Sequence, residues 1–329
     1  MGRENLTSVV VVSWNTLQRT IDCIDSLFRR NRGLELEVIV VDNASMDGTP
    51  VAVRRRFSQV RLLANQENVG FAKAVNQGLA AASGDLLVVM NADTALLSEQ
   101  PFARIRAFLR SHPRVGIVGA TLLLPSGVVQ SRGRKFQDIP TLFKMHLLFK
   151  SAPFWSADAK PCPAKPVWVD YVDGAFLAFR REVFEDVGPM DESHFLYAED
   201  MEWCWRAHIA GWQVVVLPDV QVRHYQGSSA SQHLARTLVH NAVNVSHFVG
   251  VIYGWSQAHT AWVILLAGML LRIPLAVARR SGQVGQYWEA LRTCLSLSRN
   301  LRQVLKDRWP AALLGAEHLP KPAGAGEGQ

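Results

Sequence analysis

The sequence predicts an α/β fold, a mainly parallel sheet flanked by helices, followed by a C-terminal helical segment that associates with a membrane. Three observations predict it. The first 130 residues alternate β-branched runs with helical periodicity, the runs stop at polar residues, and an apolar stretch near the C-terminus is followed by concentrated positive charge. At 329 residues, 49% hydrophobic and 19% charged, the chain has material for one large core and is too apolar for disorder.

The strands are read at Val9–Trp14, Val38–Asp42, Val60–Ala64, Leu86–Asn91 and Val115–Leu124, with helices near 17–30, 49–57, 70–82 and 98–111. The first apolar run, Val9–Val12, is too short for a secretory leader, so none is expected. Residues 131–166 interrupt the alternation. Arg132, Arg134, Lys135, Lys144 and Lys150 are interleaved there with Phe136, Leu142, Phe143, Phe149, Phe154 and Trp155, which reads as a partly amphipathic insertion or a surface loop. A second block follows: Val167–Arg180, a helix from about Glu199 to Ala210, and strands at Trp212–Leu217 and Gln221–His224. The expected organisation is a domain over 1–250 (halves 1–130 and 167–250 around the insertion), a helical region over 251–310 and a disordered tail over 311–329.

Between Trp255 and Ala278 the uninterrupted apolar core, Ala261–Leu271, is short of the roughly 20 residues a spanning helix needs, so an interfacial helix is expected. The charge supports that reading. Residues 272–308 hold 8 basic and 2 acidic side chains, against 26 and 24 in residues 1–271. A cationic stretch directly behind an apolar run suits anionic lipid headgroups, and nucleic acid is not an expected partner. The bland alternative is a helical hairpin packed on the sheet. Cys23, Cys162, Cys204 and Cys294 lack CxxC spacing, which argues against a disulfide framework or a structural zinc site.

Ligands of open α/β sheets bind beyond the carboxyl ends of the strands. Asn15, Asp42 and Asp93 stand there, and neither a P-loop nor a GxGxxG is present. Asp42 either accepts hydrogen bonds from a ligand or opens an ordinary turn. In Asn91-Ala92-Asp93, residues two apart on an extended segment point the same way, an oxygen-rich pair suited to Mg²⁺ or Mn²⁺ held jointly with substrate phosphates, and the structural alternative is an Asp that starts a turn before the helix at Ser98. Glu199, Asp200 and Glu202 crowd a helix start. One is a candidate general base, and the structural alternative is dipole compensation with Glu202 paired to Arg206 at i,i+4. His224 lies just past a strand, where a lone histidine is commonly structural.

Taken in order, VVVVSWN (9–15), VVDNASMDGT (40–49), NVGFAKAVNQG (68–78), LLVVMNAD (86–93), the block from Val169 to Arg206 containing VDGAFLAF and YAEDMEWCWR, and VRHYQGSS (222–229) closely resemble the family 2 glycosyltransferases, in particular their rhamnosyltransferase-like branch. The resemblance implies a Rossmann-like GT-A fold and inverting transfer from a nucleotide-sugar donor. It implies that Asp42 holds base or ribose, with Ser13, Asn15, Asn68, Gly70, Lys73, Asn91, Ala92 and Asp93 around the donor. It places Asp93 and His224 on Mg²⁺ or Mn²⁺ and makes Asp200 the catalytic base. Asp173, Gly174, Glu199, Trp203 and Arg206 fall on the acceptor side. Asn91 replaces the first aspartate of the family's DxD element. The implied donor is dTDP-L-rhamnose and the implied acceptor a GlcNAc-diphosphate-polyprenol, met by a peripheral or monotopic enzyme at the cytoplasmic face of the plasma membrane. Galactosyl, galactofuranosyl or glucosyl transfer, or a non-catalytic nucleotide-sugar-binding subunit, are the alternatives.

Overall fold

A computed structural model of the chain describes residues 3–149, 165–225, 234–280 and 282–306. Its first half is built from β1 (Arg3–Ser13), α1 (Leu17–Arg30), β2 (Leu36–Asp42), α2 (Thr49–Arg56), β3 (Arg61–Ala64), α3 (Phe71–Ala81) and β4 (Gly84–Asn91). The four strands run parallel in the order β3-β2-β1-β4. Both faces of these strands are covered, which is why their sequences are continuously apolar. Val9, Val11, Val38 and Val40 pack with α1 on one face, and Val10, Ile39 and Val41 with α3 on the other, following the two-residue alternation of a strand.

The second half adds β5 (Thr94–Leu96), α4 (Pro101–Ser111), β6 (Val115–Leu123), β7 (Val129–Ser131), α5 (Ile139–His146), β8 (Val167–Val169), β9 (Phe176–Arg180), α6 (Arg181–Val187), α7 (Glu199–Ile209) and β10 (Gln213–His224). Here the structure departs from the expected strands. Val167–Arg180 splits into β8 and β9 around the 170–175 turn, and β9 inserts antiparallel between β4 and β6. The two strands expected at 212–217 and 221–224 are one, β10, whose register on β6 shifts between Leu217 and Gln221 around Pro218. Proline cannot donate to a ladder, so the run reads as broken in the sequence.

At the C-terminus, α8 (Leu234–Tyr253), α9 (Trp255–Ala278), α10 (Val284–Ser298) and α11 (Leu301–Lys306) build a third core with Leu142 of α5, centred on Ala242, Val249, Ala261, Trp262, Leu265 and Cys294. The boundary expected at residue 250 falls inside α8, whose Phe248 belongs to the sheet's core while Val249 faces the helices. The eleven-residue apolar core extends into a 24-residue helix running through Pro274. Cys23, Cys204 and Cys294 are free and buried. The expected tail at 311–329 and residues 150–164 of the insertion lie outside the described residues.

Candidate active site

Strand register gathers the polar ends. Ser13 of β1 lies opposite Asp42 of β2, and Val12 opposite Asn91 of β4, so Asp42 and Asn91 end strands about 10 Å apart on one edge. Asp42 is fully buried, and Ser45 donates to both its oxygens, from N at 2.8 Å and from Oγ at 2.6 Å. Asn15 completes the staple, its N–H donating to Ser45 Oγ and its Oδ1 accepting from Met46 N, each at 2.8 Å. Asp42 therefore sets the conformation of the 42–47 turn, the capping behaviour its neighbours allowed. Ser13 is buried against Thr20, Oγ to Oγ1 at 2.9 Å.

Asn68 Oδ1 accepts from Gly70 N at 3.0 Å, and Asn43 Nδ2 donates to Gly70 O at 3.0 Å. Gly70 has φ +88°, and a Cβ there would lie 2.8 Å from Phe195 O, so only glycine fits. The next residue, Phe71, donates its N–H to that same carbonyl at 2.9 Å. Lys73 is exposed on the first turn of α3.

After β4 the expected extended Asn91–Asp93 segment is a turn: Thr94 Oγ1 donates to Asn91 O at 2.7 Å, and β5 begins at Thr94. Strand alternation thus does not align Asn91 with Asp93. Asp93 instead meets the histidine. Because β10 pairs antiparallel with β5, His224 stands opposite Thr94, and its Nε2 lies 3.4 Å from Asp93 Oδ1. Gln130 Oε1 is 3.0 Å from His224 Nδ1. With Oε1 accepting from Nδ1–H, Nε2 presents its lone pair beside the carboxylate. Two donor atoms 3.4 Å apart fit one octahedral cation at about 2.1 Å, whose neighbouring ligands stand about 3 Å apart. Among the described residues no group of three or more His, Cys, Asp or Glu could hold a metal, so phosphates and water would complete the shell.

Asp200 sits in the first turn of α7, after Tyr197 and Ala198, both left-handed at φ +71° and +70°. Its Oδ2 accepts from Gly174 N and its Oδ1 from Met201 N, each at 2.8 Å. Burial, reinforced by Asp173, raises its carboxyl to about 6, against the pull of the Gly174 N–H and of Arg134. Asp173 is held by Arg134 Nη2 at 2.5 Å and by Ser131 Oγ. Ala175 O accepts from Asn91 N at 3.3 Å, so the end of β4, Gly174 and Asp200 form one continuous rim. Burial raises the Tyr197 phenol, and Glu199 and Asp93 raise it further, which puts Tyr197 in electrostatic reach of both.

Two expected acceptor-side residues are elsewhere. Trp203 is fully buried, its ring 4.7 Å from Phe179 and its Nε1 donating to Gly188 O at 2.9 Å. Arg206 is consumed by Glu202 at 2.6 and 2.9 Å and by the carbonyls of Val187 at 2.6 Å and Pro189 at 2.9 Å. Both lie on the stripe of α7 that anchors the 187–189 turn, so they shape the site without facing it. Glu199 is buried, and its carboxyl is raised well above the usual range by burial and then by Asp200. Sequence reasoning missed Gln130, Ser131 and Arg134, because their partners lie roughly 40 to 95 residues away, with no local signal.

The model of a family described as Glycosyl transferase family 2 matches residues 8–188, more than half of the chain. An N-acetylglucosaminyl-diphospho-decaprenol L-rhamnosyltransferase of Mycobacterium tuberculosis is 28% identical over 272 residues, covering 74% of this chain and 86% of that protein. Among solved structures, a mannosyltransferase of Pyrobaculum calidifontis in complex with GDP-Man and Mn²⁺ aligns with a TM-score of 0.53 at 21% identity over 92% of this chain and 83% of its own. GalNAc-T7 with UDP, GalNAc and Mn²⁺ aligns at 0.56 and 16% identity over 96% of this chain and 58% of its own. The two structures share this chain's fold.

Proposed function

The chain belongs to glycosyl transferase family 2, and on that premise we propose that it is an inverting enzyme that moves L-rhamnose from dTDP-L-rhamnose to a GlcNAc-diphosphate-polyprenol at the cytoplasmic face of the plasma membrane. The observation that carries the reading is the continuous rim joining the Asp93–His224 pair, through Asn91 and Gly174, to the half-buried carboxylate of Asp200. Mg²⁺ or Mn²⁺ held by Asp93 and His224 would supply Lewis-acid neutralisation of the leaving diphosphate. The turns ordered by Asp42, Asn15 and Asn68 shape the donor side, and Lys73 is free to reach a phosphate. Asp200, locked by two backbone N–H donors, takes the proton of the acceptor hydroxyl as that oxygen attacks the face opposite the leaving group. A carboxyl near 6 is ionised at neutral pH yet basic enough for that transfer. Arg134 keeps Asp173 from driving Asp200 higher.

The test incubates purified enzyme and Mn²⁺ with a nucleotide-sugar panel and the lipid-linked acceptor. Acceptor-dependent dTDP release from dTDP-L-rhamnose is expected, with an anomer opposite to the donor's in the product. Turnover with UDP-galactose or UDP-glucose alone would replace the donor, and no turnover with any donor would refute the transferase reading.

A further inference from the structure

Among the described residues, the large exposed apolar side chains concentrate on the C-terminal helices and on α5 with the residues just after it. On α9, Val263 is 63% and Leu270 51% exposed, and Val277 is 58%. Positions 263, 267, 270, 274 and 277 follow the i, i+4, i+7, i+11, i+14 spacing of one helical stripe. On one side this stripe borders α10, where Trp262 Nε1 donates to Ser298 Oγ at 2.9 Å. On the other side, through exposed Leu271 and Leu275, it borders α5: a Cβ on Gly268 would lie 2.8 Å from His146 Cβ, and Arg272 caps the Phe149 ring at 5.0 Å. Phe143, Leu148 and Phe149 are exposed there, and α10 contributes Trp288 and Leu295.

The charges around this face are nearly all of one sign. Residues 234–306 contain eight lysines and arginines and a single acid, Glu289. On α10, Trp288, Arg292 and Leu295 follow one stripe, Arg299 caps the helix, Arg302 lies on α11, and all five are exposed, so cations stand among apolar groups along this segment.

We propose that the α9 stripe, flanked by α5 and α10, is a docking face for one leaflet of a bilayer containing anionic lipids. The proposal rests on the functional reading above in one respect, that the acceptor is lipid-linked. The α9 helix is long and apolar enough to cross a membrane, but 44% of its most apolar window is buried within the protein. A crossing helix would have to carry with it α10, which bears Glu289 and Arg292, and the Arg272 guanidinium, which donates to Gly268 O at 2.8 Å and His146 O at 3.3 Å. Those charges belong at headgroup depth. A second copy of the chain is the less suitable occupant, because a two-fold contact would set this basic face against itself. The inserted segment thereby gains a role: α5 begins eight residues after Ser131, the Asp173 partner, and leads from the rim of the site to the lipid.

The experiment uses the full chain and vesicle flotation, with phosphatidylcholine vesicles compared with mixtures containing phosphatidylglycerol. The wild type is expected to float only with the anionic vesicles and to detach in high salt. Val263→Gln/Leu270→Gln and, separately, Phe143→Gln/Leu148→Gln, all exposed positions, are each expected to lower partitioning roughly tenfold or more. Arg292→Gln/Arg299→Gln/Arg302→Gln is expected to abolish the preference for phosphatidylglycerol. Wild-type partitioning of the α5 pair, or resistance of the bound wild type to salt and alkali as for a spanning protein, overturns the proposal. So does a salt-stable dimer that the same substitutions dissociate while vesicle binding is unchanged. Transfer to a water-soluble short-chain acceptor is measured in parallel. Intact transfer with lost flotation leaves the enzymatic reading standing, and lost transfer with intact flotation fails that reading alone.

Discussion

Replacing the Asp200 carboxylate by its amide should separate stability from activity in opposite directions. Asp200 is half-buried, and its rise from 3.8 to about 6 means that keeping it ionised in the folded state costs about 3 kcal/mol. The sign follows from linkage. A carboxyl whose folded value is raised contributes stability below its unfolded value, and loses it as pH climbs through about 6. Asp200→Asn removes that cost, but its amide nitrogen must face one of the two N–H donors, from Gly174 or Met201, at a loss of about 1–2 kcal/mol. At about pH 8 the variant should therefore be about 1–2 kcal/mol more stable than the wild type, or about 2–4 °C in Tm. At about pH 4, where the wild-type carboxyl is protonated, the advantage should vanish or reverse. Turnover should fall about 10²- to 10⁴-fold at about pH 8, and by far less at about pH 4, where protonation has already removed the base from the wild type. Urea unfolding and thermal melts at the two pH values, with turnover assayed in parallel, check this. A variant that is less stable at high pH, or whose stability difference ignores pH, refutes the environment assigned to Asp200. Turnover within about tenfold of wild type at about pH 8 removes it as the base.

Three further expectations concern its surroundings. Asp93→Ala should weaken Mn²⁺-dependent binding of the donor about 10- to 100-fold by calorimetry, with little change in metal-free binding of the nucleoside. Arg134→Met strands the Asp173 carboxylate and should destabilise the fold by about 3–5 kcal/mol in denaturant titration, while moving the acid limb of kcat/KM to higher pH. Arg134→Lys should recover part of both. Gly70→Ala forces a Cβ against Phe195 O at φ +88°, and should cost more than about 1 kcal/mol in Tm-derived stability and raise KM for the donor.

The parallel half of the sheet was readable because it is locally encoded. In Val38–Asp42 and Leu86–Asn91 an apolar run ends in a polar residue, and the structure puts those ends at one edge of the sheet, on either side of β1. The placement of β9 was not readable. Phe176–Arg180 is as apolar as its parallel neighbours, and direction is set by the 170–175 turn and by pairing with strands distant in sequence. At the site, Asp93, His224 and Asp200 were visible as polar residues at element ends, and Asp173 only through the family resemblance. What Arg134 does was hidden, since its ion pair with Asp173 spans 39 positions and its neighbours suggested only a basic surface. Trp203 and Arg206 misled because a helix carries two faces through one motif. Asp200 looks toward the rim, while the residues three and six positions later hold the core and the turn.

Asn244, buried in the middle of α8, donates to the carbonyls of both Leu196 and Tyr197 at 3.0 and 2.8 Å, while Asn76 of α3 grips Met190 at the other end of the same loop. Together with the Phe195–His240 and His194–His247 ring contacts, this strut ties the helical bundle to the residues that aim Asp200. Any tilt of that bundle would be felt as a rotation of the carboxylate, so how the protein is seated and how the base is pointed are mechanically one variable.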